Sequence, residues 1–288
     1  FFFKQKTAYE MCGRDWSSDV CSSDLKPGFD PNLFVDGIDP QSWGELNASP
    51  DRPLVNRALA GTYPPGSTLK PYMALAALSN GKRTPQQTIE DHGYFMFGGR
   101  QFRDSHEGGW GVVDLYKSIV NSSDTYYYMV ANDLGIDAIS RFIGQFGFGS
   151  RTGIDLAGEA SGVLPSPAWK MRRFGQKWYP GETISIGIGQ GYNSYTPLQL
   201  AVAIATIAND GVVPRPRVVK YIEDSRTHER LPVELGPART VDLKPEHLAA
   251  VKAALVGVTK EGTGAIAFQG AGYTSAGKTG TAQVIGIK

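Results

Sequence analysis

The 288-residue sequence lacks the features that would place it in several large protein classes. Its two cysteines, Cys12 and Cys21, both lie in the first 25 residues, so the cysteine count supports neither a disulfide framework nor an oxidising compartment. The sequence contains no run of about 18 apolar residues that could form a membrane span. It also shows no repeat of about 20 to 50 residues. A net charge of only +1 gives no indication of a nucleic-acid partner.

The sequence is instead that of an ordinary globular chain that is rich in turns. It is 41% apolar and 20% charged, which together with its length allows a sizeable core. Its 35 glycines and 18 prolines indicate many turns and loops. This composition suits an enzyme whose motifs lie between its elements better than it suits a helical bundle.

The segment Tyr63-Pro-Pro-Gly-Ser-Thr-Leu-Lys-Pro71 predicts a serine delivered by a rigid turn onto the start of a helix. The two prolines fix φ, and the apolar spacing that follows predicts a helix to about Leu78. Residues i and i+3 of a helix share one face, so the Lys70 amine could take the hydroxyl proton of Ser67. Ser67 and Lys70 are therefore the candidate nucleophile and base.

Two further motifs follow this pair in chain order. Ser122-Ser123-Asp124 lies in a turn between two predicted helices, and Lys278-Thr279-Gly280-Thr281 lies on a predicted strand, Thr274 to Ile287. Ser-x-x-Lys motifs also occur at Ser79 and Ser275, but the first falls at a helix end and the second overlaps the strand. The combination of three motifs in this order is typical of serine acyl-transfer enzymes that react with penicillin.

The sequence from about residue 26 to 288 resembles the transpeptidase domain of the penicillin-binding protein 2 family, the class B, monofunctional peptidoglycan D,D-transpeptidases. Besides the three motifs, the matching stretches are Phe29 to Phe34, Asp51 to Arg57, Thr152 to Leu156, Gly187 to Tyr192 and Gly277 to Gly286. The resemblance implies an α/β (α+β) transpeptidase fold of the penicillin-binding-protein and beta-lactamase type. Its largely antiparallel sheet would have helices on both faces and would here be truncated at both ends.

The resemblance also implies a role for each motif residue. Ser67 attacks the penultimate D-alanine of a stem peptide, Lys70 accepts its proton, and Ser122 relays a proton to the leaving group. The backbone N–H groups of Ser67 and Thr281 form the oxyanion hole. The substrate-binding residues are expected to be Asp124, Lys278, Thr279, Gly280 and Thr281.

The protonation state of Lys70 is left open by the sequence. Burial and the charge of Lys278 would lower the Lys70 pKa, whereas the carboxylate of Asp124, where many relatives have asparagine, would raise it. No cofactor is expected.

The expected partners are peptidoglycan stem peptides, beta-lactams and the membrane proteins of the elongation complex, with no nucleic acid. The expected location is the periplasmic face of the cell inner membrane. The alternatives are a beta-lactamase, a penicillin-sensing receptor domain and an inert truncated fragment. A beta-lactamase would need an acidic base for hydrolytic water, and no such motif is visible.

A cluster of possible metal ligands follows the nucleophile helix: Asp91, His92, Asp104, His106 and Glu107. Some members of the family carry a zinc site of two aspartates, a histidine and a cysteine beside the active site. This chain retains Asp91 and Asp104 but has Trp110 and Ser123 at the other two positions. Indole cannot bind zinc and a hydroxyl replaces thiolate poorly, so we expect hydrogen-bonded carboxylates and no metal.

The rest of the pattern predicts elements rather than chemistry. Helices are predicted over Pro40 to Leu46, Val112 to Val120, Asp124 to Leu134, Ile136 to Phe146, Thr196 to Ala208 and Pro245 to Val258, with a ribbon over Val212 to Ile222 and Glu229 to Leu235. The basic residues Lys170, Arg172, Arg173 and Lys177 are predicted to form a solvated face. Contact with anionic glycan or a partner protein is the alternative.

Two expectations concern the ends of the sequence. Residues 1–25 do not match the family, and Asp15 to Leu25 resembles a translated sequencing adapter, so we predict a non-native segment 1–25 and a partial transpeptidase domain 26–288. The strands that flank the Lys278 strand in the family are missing from the sequence. We therefore expect this strand to lack a fixed position relative to Ser67, and the chain to aggregate or to bind beta-lactam weakly.

Overall fold

A computed structural model of the chain describes residues 2–4, 28–234 and 236–281, with backbone only for residues 2–4. Its α-helices are α1 (Pro40–Ala48), α2 (Arg57–Ala60), α3 (Lys70–Ser79), α4 (Leu115–Val120), α5 (Asp124–Leu134), α6 (Ile136–Ile143), α7 (Pro167–Phe174), α8 (Pro180–Ile186), α9 (Pro197–Ala208) and α10 (Pro245–Lys260). Short 3₁₀ helices span Pro31–Phe34, Gly66–Leu69, Gly144–Phe146 and Ala265–Phe268.

The strands are short, and in the described residues they pair two by two. They are β1 (Phe2–Lys4), β2 (Ile89–Asp91), β3 (Tyr94–Phe97), β4 (Arg100–Arg103), β5 (Gly111–Val113), β6 (Val212–Val213), β7 (Tyr221–Glu223), β8 (Arg230–Pro232), β9 (Arg239–Thr240) and β10 (Ser275–Gly277). The pairs β1–β10, β2–β5, β3–β4, β6–β9 and β7–β8 are all antiparallel. The register of the first pair places Phe3 opposite Ala276.

Helix α3 lies at the centre of the hydrophobic core. All of its residues from Lys70 to Leu78 are buried, and a helix that is apolar on every side is stable only when other elements surround it. Helices α5, α6 and α10 contact it directly, and the Tyr72 ring packs edge-on against Phe146 and Phe148 at 5.1 and 5.0 Å. Leu69, the last residue of the 3₁₀ helix that contains Ser67, is also buried, so the core fixes the end of this turn.

Several helices confirm the sequence predictions, and local chemistry explains their bounds. Helix α5 spans Asp124–Leu134 as predicted. Helix α9 begins at Pro197, where Thr196 and Gln199 form a capping box: each side chain accepts the backbone N–H of the other residue, at 3.1 and 2.9 Å. Capping and proline placement are local signals, which is why they can be read from sequence.

Two element predictions were wrong in part. The helix predicted from Val112 begins at Leu115, because Gly111–Val113 is strand β5 and Asp114 caps the helix by accepting the Lys117 N–H at 2.8 Å. In the predicted ribbon, Tyr221–Glu223 does pair with Arg230–Pro232, but Val212–Val213 pairs with Arg239–Thr240 instead. Leu235, the last residue of that predicted ribbon, lies outside the described residues.

The predicted solvated basic face is only partly solvated. Arg172, Arg173 and Lys177 are exposed, but Lys170 is 1% exposed. Lys170 lies on helix α7 and forms an ion pair with Glu182 of helix α8. Neither helix is predicted from the glycine-rich sequence of this region. Helical spacing within α7 turns Lys170 inward, whereas Arg172 and Arg173 face the solvent.

The third motif, Lys278 to Thr281, follows strand β10 and does not lie on the strand predicted from Thr274 to Ile287. Only Ser275–Gly277 of the predicted strand is extended, and residues 282–288 lie outside the described part of the chain. Strand β10 pairs with Phe2–Lys4 on one edge, packs against α10, and accepts a 2.7 Å hydrogen bond from the Thr259 hydroxyl at the Ser275 carbonyl. The expectation that the chain aggregates or binds beta-lactam weakly stays a prediction.

Among the described helices, none combines the length and the apolar content that a bilayer-spanning segment needs.

Candidate active site

The candidate nucleophile lies in the short 3₁₀ helix Gly66–Leu69 that leads directly into α3. Gly66 has a φ of +54°, and a Cβ atom there would lie 2.3 Å from the Thr281 carbonyl oxygen, so only glycine fits this position. Ser67 follows it and is half-buried, and its hydroxyl forms no hydrogen bond with the described residues. The turn thus presents an unengaged hydroxyl beside the segment that ends at Thr281.

Lys70 begins α3 and is fully buried. Its Nζ donates to the Ser122 carbonyl oxygen at 2.6 Å, to the Ser122 Oγ at 3.1 Å and to Asp124 Oδ1 at 2.6 Å. The Tyr127 ring lies 5.6 Å from the same nitrogen. Three donors of an ammonium group are therefore satisfied by the second motif, which begins 52 residues later in the chain.

Opposing effects act on the pKa of Lys70. Burial is the largest and lowers it, because desolvation penalises the charged amine. The charge of Asp124 and its hydrogen bond raise it, and the charges of Asp104 and Asp91 raise it less. Burial prevails, so the pKa of Lys70 lies below its ordinary value, in the direction that a proton acceptor requires.

The second motif is held in a strained turn between α4 and α5. Ser122 has a φ of +61°, an unusual conformation for a residue with a side chain, and it directs both its carbonyl and its hydroxyl at Lys70. Asp124 is placed by the Ser105 N–H, which donates to its Oδ2 at 3.1 Å. Its other carboxylate oxygen is thereby left to face Lys70.

The third motif lies against the Ser67 turn. A Cβ atom on Gly280 would approach the Thr68 Cγ2 to 2.7 Å, and the Thr279 and Thr263 hydroxyls lie 2.6 Å apart. Lys278 is 5% exposed, and its Nζ donates to the Thr279 carbonyl oxygen at 3.1 Å. Burial, and then the charge of Lys70, lower the pKa of Lys278 well below its ordinary value.

The structure thus brings the residues of all three sequence motifs to one place. Direct side-chain bonds join Lys70, Ser122 and Asp124. Gly280 and Thr281 touch the turn that carries Ser67. Lys278 is linked to this group through charge, since both Lys70 and Asp124 act on its pKa.

The residues at the family's zinc position do not fit a metal. Asp91 Oδ2 accepts the Ser123 hydroxyl at 2.6 Å and Asp91 Oδ1 accepts the Gly93 N–H at 2.8 Å. Asp104 accepts the Thr125 N–H at 2.8 Å, and the Trp110 ring stacks on His106 at 3.9 Å. Within the described residues no group of three or more possible ligands could hold a metal ion. These carboxylates instead hold the start of helix α5.

A glycine-rich loop, Gly187–Gly191, is a part of the site to which sequence reasoning assigned no role. The Gly66 N–H donates to the Gly189 carbonyl oxygen at 3.0 Å, and Gln190 Nε2 donates to the Thr281 carbonyl oxygen at 3.1 Å. The loop therefore contacts both segments that flank the candidate oxyanion hole. Its signal in the sequence was the density of glycine, which permits close backbone contact.

Comparisons with known proteins identify the family of the chain. The family described as "Penicillin binding protein transpeptidase domain" matches residues 17–288. Peptidoglycan D,D-transpeptidase MrdA of Escherichia coli strain K12 is 42% identical over 267 residues, which cover 91% of this chain and 42% of that protein.

Solved structures are similar as well. PBP2 of Pseudomonas aeruginosa superposes with a TM-score of 0.83 at 41% identity, covering 90% of this chain and 59% of that one. PBP2 of Helicobacter pylori, solved in complex with MreC, gives 0.80 at 32% identity, covering 90% and 47%. The chain thus spans about half the length of these relatives, and it belongs to the penicillin-binding-protein transpeptidase family.

Proposed function

We propose that this chain is the acyl-transfer part of a peptidoglycan D,D-transpeptidase that cross-links stem peptides through a serine acyl-enzyme. The observation that carries the proposal concerns Lys70, which lies three residues after Ser67. Its amine is fully buried and bonds to Ser122 and Asp124. Burial lowers the pKa of Lys70, which is the direction that a proton acceptor requires, and Ser67, whose hydroxyl bonds to no described residue, is the nucleophile that would need one.

In the proposed reaction, Ser67 Oγ attacks the carbonyl carbon of the penultimate D-alanine while its proton passes to the neutral amine of Lys70. The resulting oxyanion is stabilised by the N–H groups of Ser67 and Thr281. The C–N bond then breaks, and the departing D-alanine amine takes the proton from Lys70 through the Ser122 hydroxyl. The products are an acyl-enzyme on Ser67 and free D-alanine.

A second stem peptide completes the cycle. Its amine attacks the acyl carbonyl carbon, its proton passes to Lys70, and Ser67 Oγ leaves and recovers a proton. The terminal carboxylate of the donor stem is bound by Lys278, Thr279 and Thr281, whose ammonium and hydroxyl groups are suitable donors. Beta-lactams resemble the same D-alanyl-D-alanine end and are expected to acylate Ser67.

The proposal extends to partners and location. The Helicobacter pylori relative was solved in complex with MreC, and a membrane protein of the elongation complex is accordingly the proposed type of partner here. The proposed location is the periplasmic face of the inner membrane, where stem peptides are cross-linked.

Mass spectrometry after exposure to benzylpenicillin tests the proposal. We expect one stable adduct on the peptide that contains Ser67, and none in the Ser67→Ala variant, which should keep its fold because this hydroxyl bonds to no described residue. Release of D-alanine from stem peptides, with formation of a cross-link, then separates a transpeptidase from a sensor. An adduct that hydrolyses rapidly, or one on another residue, would contradict the proposal.

A further inference from the structure

A charge cluster around one buried lysine lies beside the glycine loop and outside the three motifs. Lys170 of α7 is 1% exposed, and its Nζ donates to Glu182 Oε1. Three aromatic rings surround this nitrogen, those of Tyr179 at 4.6 Å, Tyr192 at 5.8 Å and Trp178 at 6.0 Å. The carboxylate and the three rings together compensate the desolvation of the ammonium. Because the buried ammonium needs these partners, it holds them in one arrangement.

Glu182 is the residue that joins the parts of this cluster. Its Oε1 also accepts the Tyr192 hydroxyl at 3.0 Å, and its Oε2 accepts the Tyr179 N–H at 2.8 Å. Tyr179 immediately precedes α8, whereas Tyr192 follows the glycine loop. One carboxylate therefore ties together the two ends of the segment 179–192.

The segment between those two ends contacts the acylation site through its backbone. A Cβ atom on Gly189 would lie 2.1 Å from the Gly66 carbonyl oxygen, so the two backbones are in direct contact. The Gly66 N–H donates to Gly189, and the Gln190 side chain donates to the Thr281 carbonyl oxygen. Movement of the loop would thus displace the residues on either side of the candidate oxyanion hole.

We propose that Glu182 is a positioning residue for acylation, and that Lys170 and Tyr192 hold it in place. Glu182 touches no reacting atom; it fixes the glycine loop and, through Gly189 and Gln190, the spacing between the Ser67 turn and Thr281. This inference rests on the proposed acyl transfer. A displacement of about 1 Å in such a site can lower the rate about 100-fold.

The test compares Glu182→Gln with Glu223→Gln in the full chain. The control removes a glutamate of the exposed ion pair with Arg230, on the β7–β8 ribbon. The concentration dependence of acylation by benzylpenicillin separates the rate constant of the covalent step from the dissociation constant. We expect Glu182→Gln to lower the rate constant at least about tenfold with a dissociation constant changed less than about twofold, and Glu223→Gln to change neither.

A milder variant guards against loss of the fold. Tyr192→Phe keeps the ring in its cluster and removes only the hydroxyl that donates to Glu182. We expect it to lower the rate constant less than Glu182→Gln does, with an unchanged thermal midpoint. A rate constant that stays at the wild-type value in the folded fraction of both variants would overturn the inference.

Amide hydrogen exchange gives a second readout that does not depend on acylation. The Gly66 N–H is bonded to Gly189, so we expect faster exchange in the peptide that contains Gly66 in Glu182→Gln and not in Glu223→Gln. Unchanged exchange would overturn the inference even if Ser67 reacts normally. A third outcome separates the two proposals. If the wild-type protein forms no Ser67 adduct, but exchange at Gly66 is faster in Glu182→Gln than in the wild type, only the proposed function is overturned.

Discussion

At the scale of single residues, the site depends on how one amine is balanced between burial and a carboxylate. Lys70 could act as a base only if part of its population is neutral, and burial moves its pKa in that direction. Asp124 opposes this shift while it also orients the amine through a 2.6 Å bond. The carboxylate therefore lowers the neutral fraction of Lys70 at a given pH while it fixes the position of the amine.

This balance predicts the effect of Asp124→Asn on the pH profile of acylation. Because the Asp124 charge raises the pKa of Lys70, its removal lowers that pKa further, and Lys70 becomes neutral at lower pH. We expect the rising limb of the acylation rate with pH to move to lower pH, measured with benzylpenicillin across the neutral and alkaline range.

Asp104→Asn is the matched control for this prediction. Asp104 also raises the pKa of Lys70 by its charge, but less than Asp124 does, and it does not bond to the amine. The shift should therefore have the same sign and a smaller size. A shift to higher pH in either variant would show that the carboxylates act on acylation in another way.

At the scale of elements, the start of helix α5 is held by two carboxylates, Asp91 at the end of β2 and Asp104 directly after β4. Ser123 caps the helix by accepting the Tyr126 N–H at 3.1 Å and donates its own proton to the buried Asp91. Asp104 accepts the next free N–H of the helix, that of Thr125. The two carboxylates thus position the turn that carries Ser122 and Asp124.

Ser123→Ala is predicted to destabilise the fold more than loss of an ordinary helix cap. Loss of the cap costs about 1 kcal/mol, and leaving the Asp91 oxygen without a donor costs about 1 kcal/mol or more in addition. We expect the free energy of unfolding in urea to fall by about 2 kcal/mol or more.

Ser166→Ala provides the comparison, since Ser166 caps α7 through the Trp169 N–H at 3.1 Å without a buried carboxylate behind it. This variant should lose only about 1 kcal/mol. Equal losses in the two variants would mean that the Asp91 bond adds nothing to the cap.

The ion pair between Lys170 of α7 and Glu182 of α8 makes the stability of the fold depend on pH in the acid range. Partial burial would raise the pKa of Glu182, but the hydrogen bonds from Lys170, the Tyr179 N–H and the Tyr192 hydroxyl outweigh it and leave the pKa below its ordinary value of 4.5. A depressed carboxyl pKa contributes stability that is present above 4.5 and is lost as the pH falls through the lowered value.

We therefore predict that the thermal midpoint of the wild-type chain falls more steeply than that of Glu182→Gln as the pH drops below 4.5. The pKa of Lys170 is raised: desolvation lowers it, but the bond and charge of Glu182 outweigh this. Its contribution is lost only at strongly alkaline pH and does not affect the acid range. Parallel slopes in the acid range would contradict the prediction.

At the scale of the whole molecule, the described apolar core draws on residues that are far apart in sequence, from Leu59 to Val258. Two observations concern residues 1–25: Phe2–Lys4 pairs with β10, and the family match begins at residue 17.

We predict that peptide mapping of the protein purified from its natural source finds no peptide from residues 1–25, because Asp15 to Leu25 resembles a translated adapter. Peptides from the remainder of the chain serve as the internal control. A native peptide that contains Trp16 or Cys21 would contradict this prediction.

By itself, the sequence indicated the candidate site residues and the helices that carry Ser67, Lys70 and Asp124. Ser67 and Lys70 are three residues apart at a proline-marked helix start, and the caps of α5 and α9 are local patterns; such short-range signals do not depend on the rest of the fold. The tertiary structure decided what these groups experience. The pKa direction of Lys70, the burial of Lys170 and the contact of Gly189 with Gly66 each depend on segments distant in sequence. Desolvation and close backbone approach exist only once those segments pack together, and no local pattern encodes them.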